Sequence, residues 1–319
     1  MKTNSMQKYL FYTLCIMLLT AGLTASENNN ATTLKSEELI ADRHFKRGFN
    51  VLDPKHGKAV IKGQFKTDKD KEPSWNIAQW NSRYDILEGS KSTSEDGGCI
   101  YRNEAKKIMT GVDDADLILY INSVIEYDNK LRTDGQPWPH LLVEQKLQTP
   151  SLAKLKRLDF NISVKIIESE TIKRAGYSKN LHTAHVPYVL IIQNANKQSA
   201  GYGDFIWFIV PLYDDRYEYP KPYIAQDKAD KSAKMIFDPG GRKYYSTPTG
   251  SGKWVTINCD LLPTILEALK TAWDKGYLAD SKDLDDYKIA SMNMGWETTG
   301  LNKAGIAIKD LSLSAVTLR

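Results

Sequence analysis

The chain has 319 residues, with 43 lysines and arginines against 39 aspartates and glutamates. Charges of both signs alternate along segments such as residues 66–72. Proteins that bind nucleic acid or anionic membranes usually concentrate positive charge on one face, so this balance argues against both classes.

The N-terminal residues predict export. Within residues 1–26, two lysines lie near the start, an apolar run occupies residues 9–19, and small residues follow, which is the pattern of a secretory signal peptide. No later apolar run is long enough to span a bilayer, so we expect a periplasmic or extracellular protein without membrane insertion of the mature chain. Residues 27–44 predict a flexible leader, and residues 45–319 a single folded domain.

Short segments rich in β-branched and aromatic residues recur along the domain, separated by Gly, Pro, Asp and Asn. Residues 158–168 alternate apolar and polar side chains, whereas residues 186–194 and 204–213 are apolar on both faces, as in central strands of stacked sheets. The pattern predicts an all-β, antiparallel β-sandwich. The predicted strands are 58–65, 116–127, 140–147, 158–168, 186–194, 204–213, 253–259, 287–297 and 304–316.

One amphipathic helix is predicted over residues 260–278. Asp260 is placed to cap its N-terminus, apolar residues such as Ile265 and Leu269 recur at helical spacing, and Gly276 is placed to end it. We expect this helix to pack on an edge or end of the sandwich.

Two cysteines, Cys99 and Cys259, follow the predicted signal peptide. An oxidising compartment permits a disulfide between them, and two separate buried thiols fit the sequence equally well.

Metal and cofactor motifs are weak in this sequence. His182 and His185 are three residues apart in a predicted loop, where they do not align as zinc ligands, and the phosphate-loop, nucleophile-elbow and dinucleotide fingerprints are missing. We therefore expect no catalytic metal and no organic cofactor. The acidic turns at 111–116, 213–216 and 280–286 read most simply as solvated turns, with structural calcium as the alternative.

Large aromatic residues recur beside turns, where a saccharide ligand could use them. Sugar rings have apolar C–H faces and polar edges, so a flat aromatic ring beside polar groups recognises both. The stacking candidates are Trp75, Trp80, Trp138 and Tyr202, and the alternative for each is that it fills the core. The polar ligand-binding candidates are His140, Asp204 and Asn293.

Two glutamates are the candidate catalytic residues. Strand alternation places Glu144 on one face with His140, and Glu297 on one face with Asn293. Glycosidic hydrolysis needs two carboxyl groups across one cleft, about 5 to 9.5 Å apart. Surface ion pairing is the alternative role for both.

The closing stretch, residues 289–316, resembles the last strands of jelly-roll, concanavalin A-like domains in secreted bacterial carbohydrate-active proteins. The resemblance rests on the Gly-Trp-Glu segment at 295–297 and the Leu-Ser-Leu segment at 311–313. It implies a jelly-roll fold and a carbohydrate ligand. Hydrolases of this architecture often show two glutamates close together on one strand, a signature that this sequence lacks.

These observations favour an exported, monomeric, lectin-like protein that binds a poly- or oligosaccharide. The alternative is a jelly-roll glycoside hydrolase or polysaccharide lyase that uses Glu144 and Glu297 as an acid/base pair. A third hypothesis is a structural or surface protein whose aromatic patches contact another protein.

Overall fold

The computed structural model describes residues 33–55, 59–68, 70–95, 97–227 and 233–319. The predicted signal peptide and residues 27–32 of the predicted leader lie outside the described residues. Residues 33–319 form one compact unit. None of the helices in the described ranges is both long enough and apolar enough to cross a membrane.

Strands dominate the described chain, together with two α-helices and several three-residue 3-10 turns. The strands are β1 Leu34–Glu38, β2 Gly48–Leu52, β3 Ile61–Lys66, β4 Trp75–Ala78, β5 Ser90–Thr93, β6 Cys99–Arg102, β7 Lys106–Val112, β8 Ala115–Asn122, β9 His140–Lys146, β10 Leu155–Thr171, β11 Ala184–Asn194, β12 Phe205–Asp214, β13 Tyr223–Gln226, β14 Met235–Asp238, β15 Val255–Asp260, β16 Tyr287–Thr298 and β17 Asn302–Leu318. The helices are α1 Ser123–Glu126 and α2 Leu262–Asp274.

The strands form two stacked sheets, which confirms the predicted β-sandwich of jelly-roll type. Sheet A has eight strands in the order β15-β10-β17-β8-β7-β6-β5, and β1 pairs with β17 outside this path. Sheet B has nine strands in the order β13-β14-β12-β11-β16-β9-β4-β2-β3. Neighbouring strands are antiparallel except for two parallel pairs in sheet B, β2 with β4 and β12 with β14.

The core lies between the sheets and is built by strand alternation. Ile162 and Val164 of sheet A, and Leu190 and Phe208 of sheet B, are fully buried in it. The indole Nε1 of Trp296 donates a hydrogen bond to the Leu119 carbonyl at 3.0 Å, joining sheet B to sheet A across the core.

The predicted leader is ordered over its second half. Residues 34–38 pair as strand β1 with the C-terminal half of β17, although all five are exposed. Ile40 is buried in the core. The prediction of flexibility does not hold here, because backbone pairing with β17 orders this polar segment and local sequence carries no record of that pairing.

The predicted helix is confirmed, with shorter bounds. Asp260 Oδ1 accepts a hydrogen bond from the Leu262 amide at 3.0 Å, which satisfies a free N–H of the first turn. Gly276 has φ +82°, the left-handed conformation that ends many helices. Ile265 and Leu269 are fully buried against the core.

The two cysteines are free and far apart. Cys259 lies on the edge strand β15 of sheet A, and Cys99 lies on β6, near the opposite edge. Five strand spacings of ~4.8 Å put roughly 24 Å between these strands. A disulfide needs Cα atoms within about 7 Å, so the alternative of two separate thiols is the one that fits.

Candidate active site

The site is built on the outward face of sheet B, where β9, β16 and β11 lie side by side. Leu141 and Val143 of β9 point into the core and are fully buried, so His140 and Glu144 point outward. On β16, Met294 and Trp296 are buried in the same way. The predicted alternation of both strands is therefore confirmed.

Glu297 lies at the centre of a cluster of polar side chains. Its carboxylate Oε2 accepts a hydrogen bond from Trp138 Nε1 at 3.3 Å. The same oxygen lies 3.7 Å from His140 Nε2 and 3.5 Å from His185 Nε2. About a fifth of the Glu297 side chain remains exposed. One carboxylate oxygen thus accepts the indole N–H and lies within 3.7 Å of two imidazole nitrogens.

Strand register explains why these groups meet. His140 is the direct partner of Glu297 on β9, and His185 is its direct partner on β11. Trp138 lies two residues before the start of β9, and its ring lies 5.7 Å from the ring of His140, centre to centre. The guanidinium of Arg132 lies 5.5 Å from the centre of the same indole ring. Three of the residues predicted from sequence, Trp138, His140 and Glu297, are therefore in one place.

The cluster continues across β11 to β12 as a row of side chains with alternating charges. This row, called the Glu297 row below, contains Glu297, His185 and Asp214. Asp214, the partner of His185 on β12, receives a forked hydrogen bond from Arg216, with Nε to Oδ1 at 2.9 Å and Nη2 to Oδ2 at 2.6 Å. Burial alone would raise the pKa of Asp214, but the hydrogen bonds and charge of Arg216 lower it. Asp214 is therefore held as an anion beside His185.

The charges of the cluster shift its proton affinities in opposite directions. Burial alone would raise the pKa of Glu297, but the hydrogen bond from His185 and the nearby charges of His140 and His185 hold it at about 2. Burial alone would lower the pKa of His185, and the carboxylate of Glu297 outweighs burial and raises it. The pair therefore favours imidazolium with carboxylate.

The imidazole rings are fixed to different degrees. His140 Nδ1 lies 3.4 Å from the Trp80 carbonyl, an oxygen that can only accept. His185 Nδ1 is buried and has no hydrogen-bond partner among the described residues. His140 is thus tied to the backbone on the side away from Glu297, whereas the described contacts of His185 leave its second nitrogen without such a tie.

Asp238 is a second carboxyl group with a shifted proton affinity near this row. It ends β14, two strands away from β11, and interacts electrostatically with His185 and Asp214. Burial raises the pKa of Asp238 to about 7, although the Gly240 amide donates a hydrogen bond to it. Asp238 is therefore an acid that changes charge near neutral pH.

The close approach of the neighbouring strand requires a glycine beside Glu297. Gly295 lies two residues before Glu297 with φ +145°, it is buried, and a Cβ atom there would lie 2.2 Å from the Leu141 carbonyl oxygen of β9. A side chain at this position would therefore collide with the β9 backbone and disturb the pairing that places His140 beside Glu297.

Glu144 and Asn293 are direct partners on the same face, but they lie away from Glu297. His140 is the strand partner of Glu297, and Glu144 lies four residues further along β9, which corresponds to about 13 Å along the strand. Glu144 also leans away, because its Oε1 accepts a hydrogen bond from Asn76 on β4 at 3.3 Å. The register therefore separates the two predicted catalytic glutamates by more than the 6.5 to 9.5 Å that an inverting pair uses.

The other aromatic candidates have different positions. Trp75 is a core residue, fully buried, with Nε1 donating to the Asp42 carbonyl at 2.9 Å. It points inward because strand β4 alternates in phase with the core, so the alternative of core filling is correct for it. Trp80 is partly buried against Leu52 and Leu142, next to His140.

Tyr202 and Asp204 lie at the other end of sheet B. Tyr202 is 55% exposed in the turn between β11 and β12, and Asp204 forms an ion pair with Lys234. Gln193, at the end of β11, pairs with Phe205 next to Asp204. Gln193 is eight residues along the strand from His185, so this end of the sheet lies about 26 Å from the Glu297 row. The structure does not bring these two residues to the site.

Within the described part of the chain, no group of three or more His, Cys, Asp or Glu side chains is arranged to hold a metal ion. His182 is engaged on both ring nitrogens, with the Ser178 amide and the Arg132 carbonyl at 2.9 Å each. In the acidic turns, Asp215 accepts a hydrogen bond from Thr171 and Asp285 accepts one from Ser151.

Sequence reasoning missed four members of the site: His185, Asp214, Arg216 and Asp238. The first three lie in the segments considered above as a histidine pair and an acidic turn. Their grouping depends on β11 lying between β16 and β12, a strand order that the sequence does not reveal. Alternation within one strand shows which face a residue uses, but not its neighbours.

Comparisons with known proteins give only distant similarities. No protein-family model matches the chain, and no curated protein matches it significantly. Solved structures with similarity include a family 12 xyloglucanase from Bacillus licheniformis, with TM-score 0.39 and 12% identity over 76% of this chain and 100% of that one. An endoglucanase from Rhodothermus marinus has TM-score 0.37 and 12% identity over 72% and 97% of the two chains. A family 11 xylanase from Neocallimastix patriciarum has TM-score 0.36 and 8% identity over 72% and 95% of the two chains. These values are too low to transfer a residue role or a substrate.

Proposed function

We propose that this protein is a carbohydrate-active enzyme that cleaves a glycosidic bond on the outward face of sheet B, with Glu297 and His185 as the reacting pair. The observation that carries the proposal is the state of Glu297: its carboxylate is ionised, is about one-fifth exposed, accepts a hydrogen bond from an indole N–H and lies beside two imidazole rings. Shifted proton affinities of this kind cluster at functional sites.

The chemistry follows from the opposite charges of the pair. The short distance within the pair excludes the inverting scheme and suits the retaining one. The carboxylate of Glu297 attacks the anomeric carbon as the bond to the leaving oxygen breaks, and the imidazolium of His185 gives its proton to that oxygen. Water then cleaves the glycosyl ester of Glu297, with the neutral imidazole of His185 taking its proton. Trp138 provides an apolar surface for the sugar ring, and its N–H keeps the carboxylate in place.

This assignment differs from an acid/base pair of Glu144 and Glu297. Four residues of strand register separate the Cα atoms of that pair by about 13 Å along the sheet, which argues against action on one bond. The nearest groups to Glu297 that carry a transferable proton are imidazoles, at 3.5 and 3.7 Å.

A lectin-like protein is the second candidate, and the separation of Glu144 from Glu297 favours it. Without a second carboxylate across the cleft, Trp138, His140 and Glu297 form a stacking and hydrogen-bonding site that binds sugar without cleaving it. The signal-peptide pattern of residues 1–26 supports export for either function, and sequencing the N-terminus of the secreted chain tests it.

The test is product analysis on a panel of polysaccharides with three proteins: the wild type, Glu297→Gln and Glu144→Gln. We expect Glu297→Gln to lose cleavage by a factor of ~10² or more while it remains folded, and Glu144→Gln to keep most of its activity. Binding by the wild type without any product would reject the enzyme and favour the lectin-like protein. An equal loss of cleavage activity in Glu297→Gln and Glu144→Gln would reject the assignment of His185, in place of Glu144, as the reaction partner of Glu297.

A further inference from the structure

A groove of about 500 Å³ opens beside the Glu297 row. Its walls are two segments, residues 216–222 after β12 and residues 239–242 after β14. Arg216 joins the groove to the row, since it is bonded to Asp214, the strand partner of His185.

The groove is built by close backbone packing. Gly240 has φ +86°, and a Cβ atom there would lie 2.8 Å from Pro222. A Cβ atom on Gly241 would lie 2.5 Å from the hydroxyl oxygen of Tyr245. The two walls can therefore approach only because these residues are glycines, and Pro220 and Pro222 further restrict the backbone of one wall.

Cations surround a single tyrosine ring on this surface. The charged groups of Lys179, Arg216 and Lys221 lie 5.2, 5.3 and 4.5 Å from the centre of the Tyr217 ring. Arg242 lies 3.8 Å from the centre of the Tyr219 ring in the same segment. Cation–π contacts hold the long basic side chains together against their mutual repulsion.

Only part of this positive charge is neutralised. Arg216 is paired with Asp214, and Arg242 lies 4.0 Å from the exposed Glu218. Asp215, the acid that directly precedes the first wall, accepts hydrogen bonds from Thr171 and Thr183. Lys179 and Lys221 are both exposed, and within the described ranges neither forms an ion pair. Two lysine charges beside the groove are therefore available to a ligand.

We propose that this groove binds anionic groups of the polysaccharide, namely uronate carboxylates or sulfate esters, on a sugar unit next to the one held at Glu297. The inference rests on the proposed function and narrows its substrate class from polysaccharides in general to acidic ones. Ammonium groups held over an aromatic ring offer N–H donors to carboxylate or sulfate oxygens, and the ring edge contacts the sugar.

The experiment compares the full-length mature wild type with Lys179→Gln/Lys221→Gln and with a control, Lys253→Gln/Lys282→Gln, which removes two exposed lysines elsewhere. Affinity is measured against a uronate polymer, a sulfated polymer and a neutral glucan, at low and at physiological salt. We expect the Lys179/Lys221 variant to bind the acidic polymer roughly tenfold more weakly, and the control to bind it like the wild type. Preference for the uronate or the sulfated polymer identifies the anionic group.

Equal binding by both double variants, or binding that favours the neutral glucan, would overturn the inference. Binding to anionic lipid vesicles that depends on Lys179 and Lys221, without binding to acidic polymers, would also overturn it. The proposed function fails separately: a lysine-dependent affinity with no cleavage of any polymer supports the groove but rejects the enzyme. Cleavage of a neutral glucan that requires Glu297 but not Lys179 and Lys221 supports the enzyme but rejects the groove as a site for anionic groups.

Discussion

His185 Nε2 lies 3.5 Å from the Oε2 of Glu297, and the two residues are direct partners on neighbouring strands. Because the strand backbones fix both Cα positions, the contact does not depend on a flexible loop. It places a carboxylate and an imidazole with opposite pKa shifts on the same exposed face of a sheet.

Substituting Glu297 tests this contact through the pH dependence of stability. Since Glu297 raises the pKa of His185, the pair stabilises the fold fully below the ordinary histidine pKa of ~6.5, and that stabilisation is lost as the pH rises through the higher folded value. We expect Glu297→Gln to reduce the free energy of unfolding more at pH 6 than at pH 9. Urea unfolding at both values measures this, and an equal loss at both would contradict it.

Asp238→Asn tests the acid that titrates near neutral pH. Because the folded pKa of about 7 lies above the unfolded value of ~3.9, wild-type stability should fall as the pH rises between these values. The asparagine variant lacks this titration, so its stability relative to the wild type should increase from pH 4 to pH 7. A difference between the two proteins that stays constant with pH would show that Asp238 titrates normally.

Trp138→Ala and Tyr202→Ala form a matched pair of aromatic deletions. Trp138 lies in the Glu297 cluster, whereas Tyr202 is exposed about 26 Å along the sheet. We expect Trp138→Ala to weaken oligosaccharide affinity by roughly 3- to 10-fold, and Tyr202→Ala to leave it unchanged. Calorimetric titration measures both, with circular dichroism to verify folding. The reverse result would move the binding site to the far turn.

Trp75→Ala should act on stability instead of binding. The indole is fully buried, packs 4.7 Å from the Phe45 ring and donates a hydrogen bond to the Asp42 carbonyl. Removing it leaves a cavity and deletes one of the two hydrogen bonds that the Asp42 carbonyl accepts, so we expect a loss of about 3–5 kcal/mol in the free energy of unfolding. A loss below ~1 kcal/mol would show that the side chain is not in the core.

The sequence was informative about strands and faces because both depend on local periodicity. Alternation in β9 and β16 correctly placed His140 and Glu297 outward, and the turn residues around Trp138 placed it at a strand end. Strand order was not accessible, because it depends on pairings between distant segments. The contact of His185 with Glu297 and the separation of Glu144 from it both follow from that order.

The same limit explains the errors with Trp75 and the leader. Trp75 has the same kind of turn-rich neighbourhood as Trp138, yet β4 pairs with β2 and β9 in a register that points the indole inward. Residues 34–38 have no apolar pattern and are ordered by backbone pairing with β17, together with hydrogen bonds from Ser312 and Leu313 to the Glu38 carboxylate.

The last strand of the chain, β17, is also an interior strand of sheet A. It pairs with β10 along most of its length, with β8 over its first half and with β1 over its second half. Without β17, β8 and β10 would each have an open edge, so sheet A is continuous only when β17 is in place. These pairings join segments far apart in the chain and such long-range contacts form slowly, so we expect the insertion of β17 to be a late step of folding.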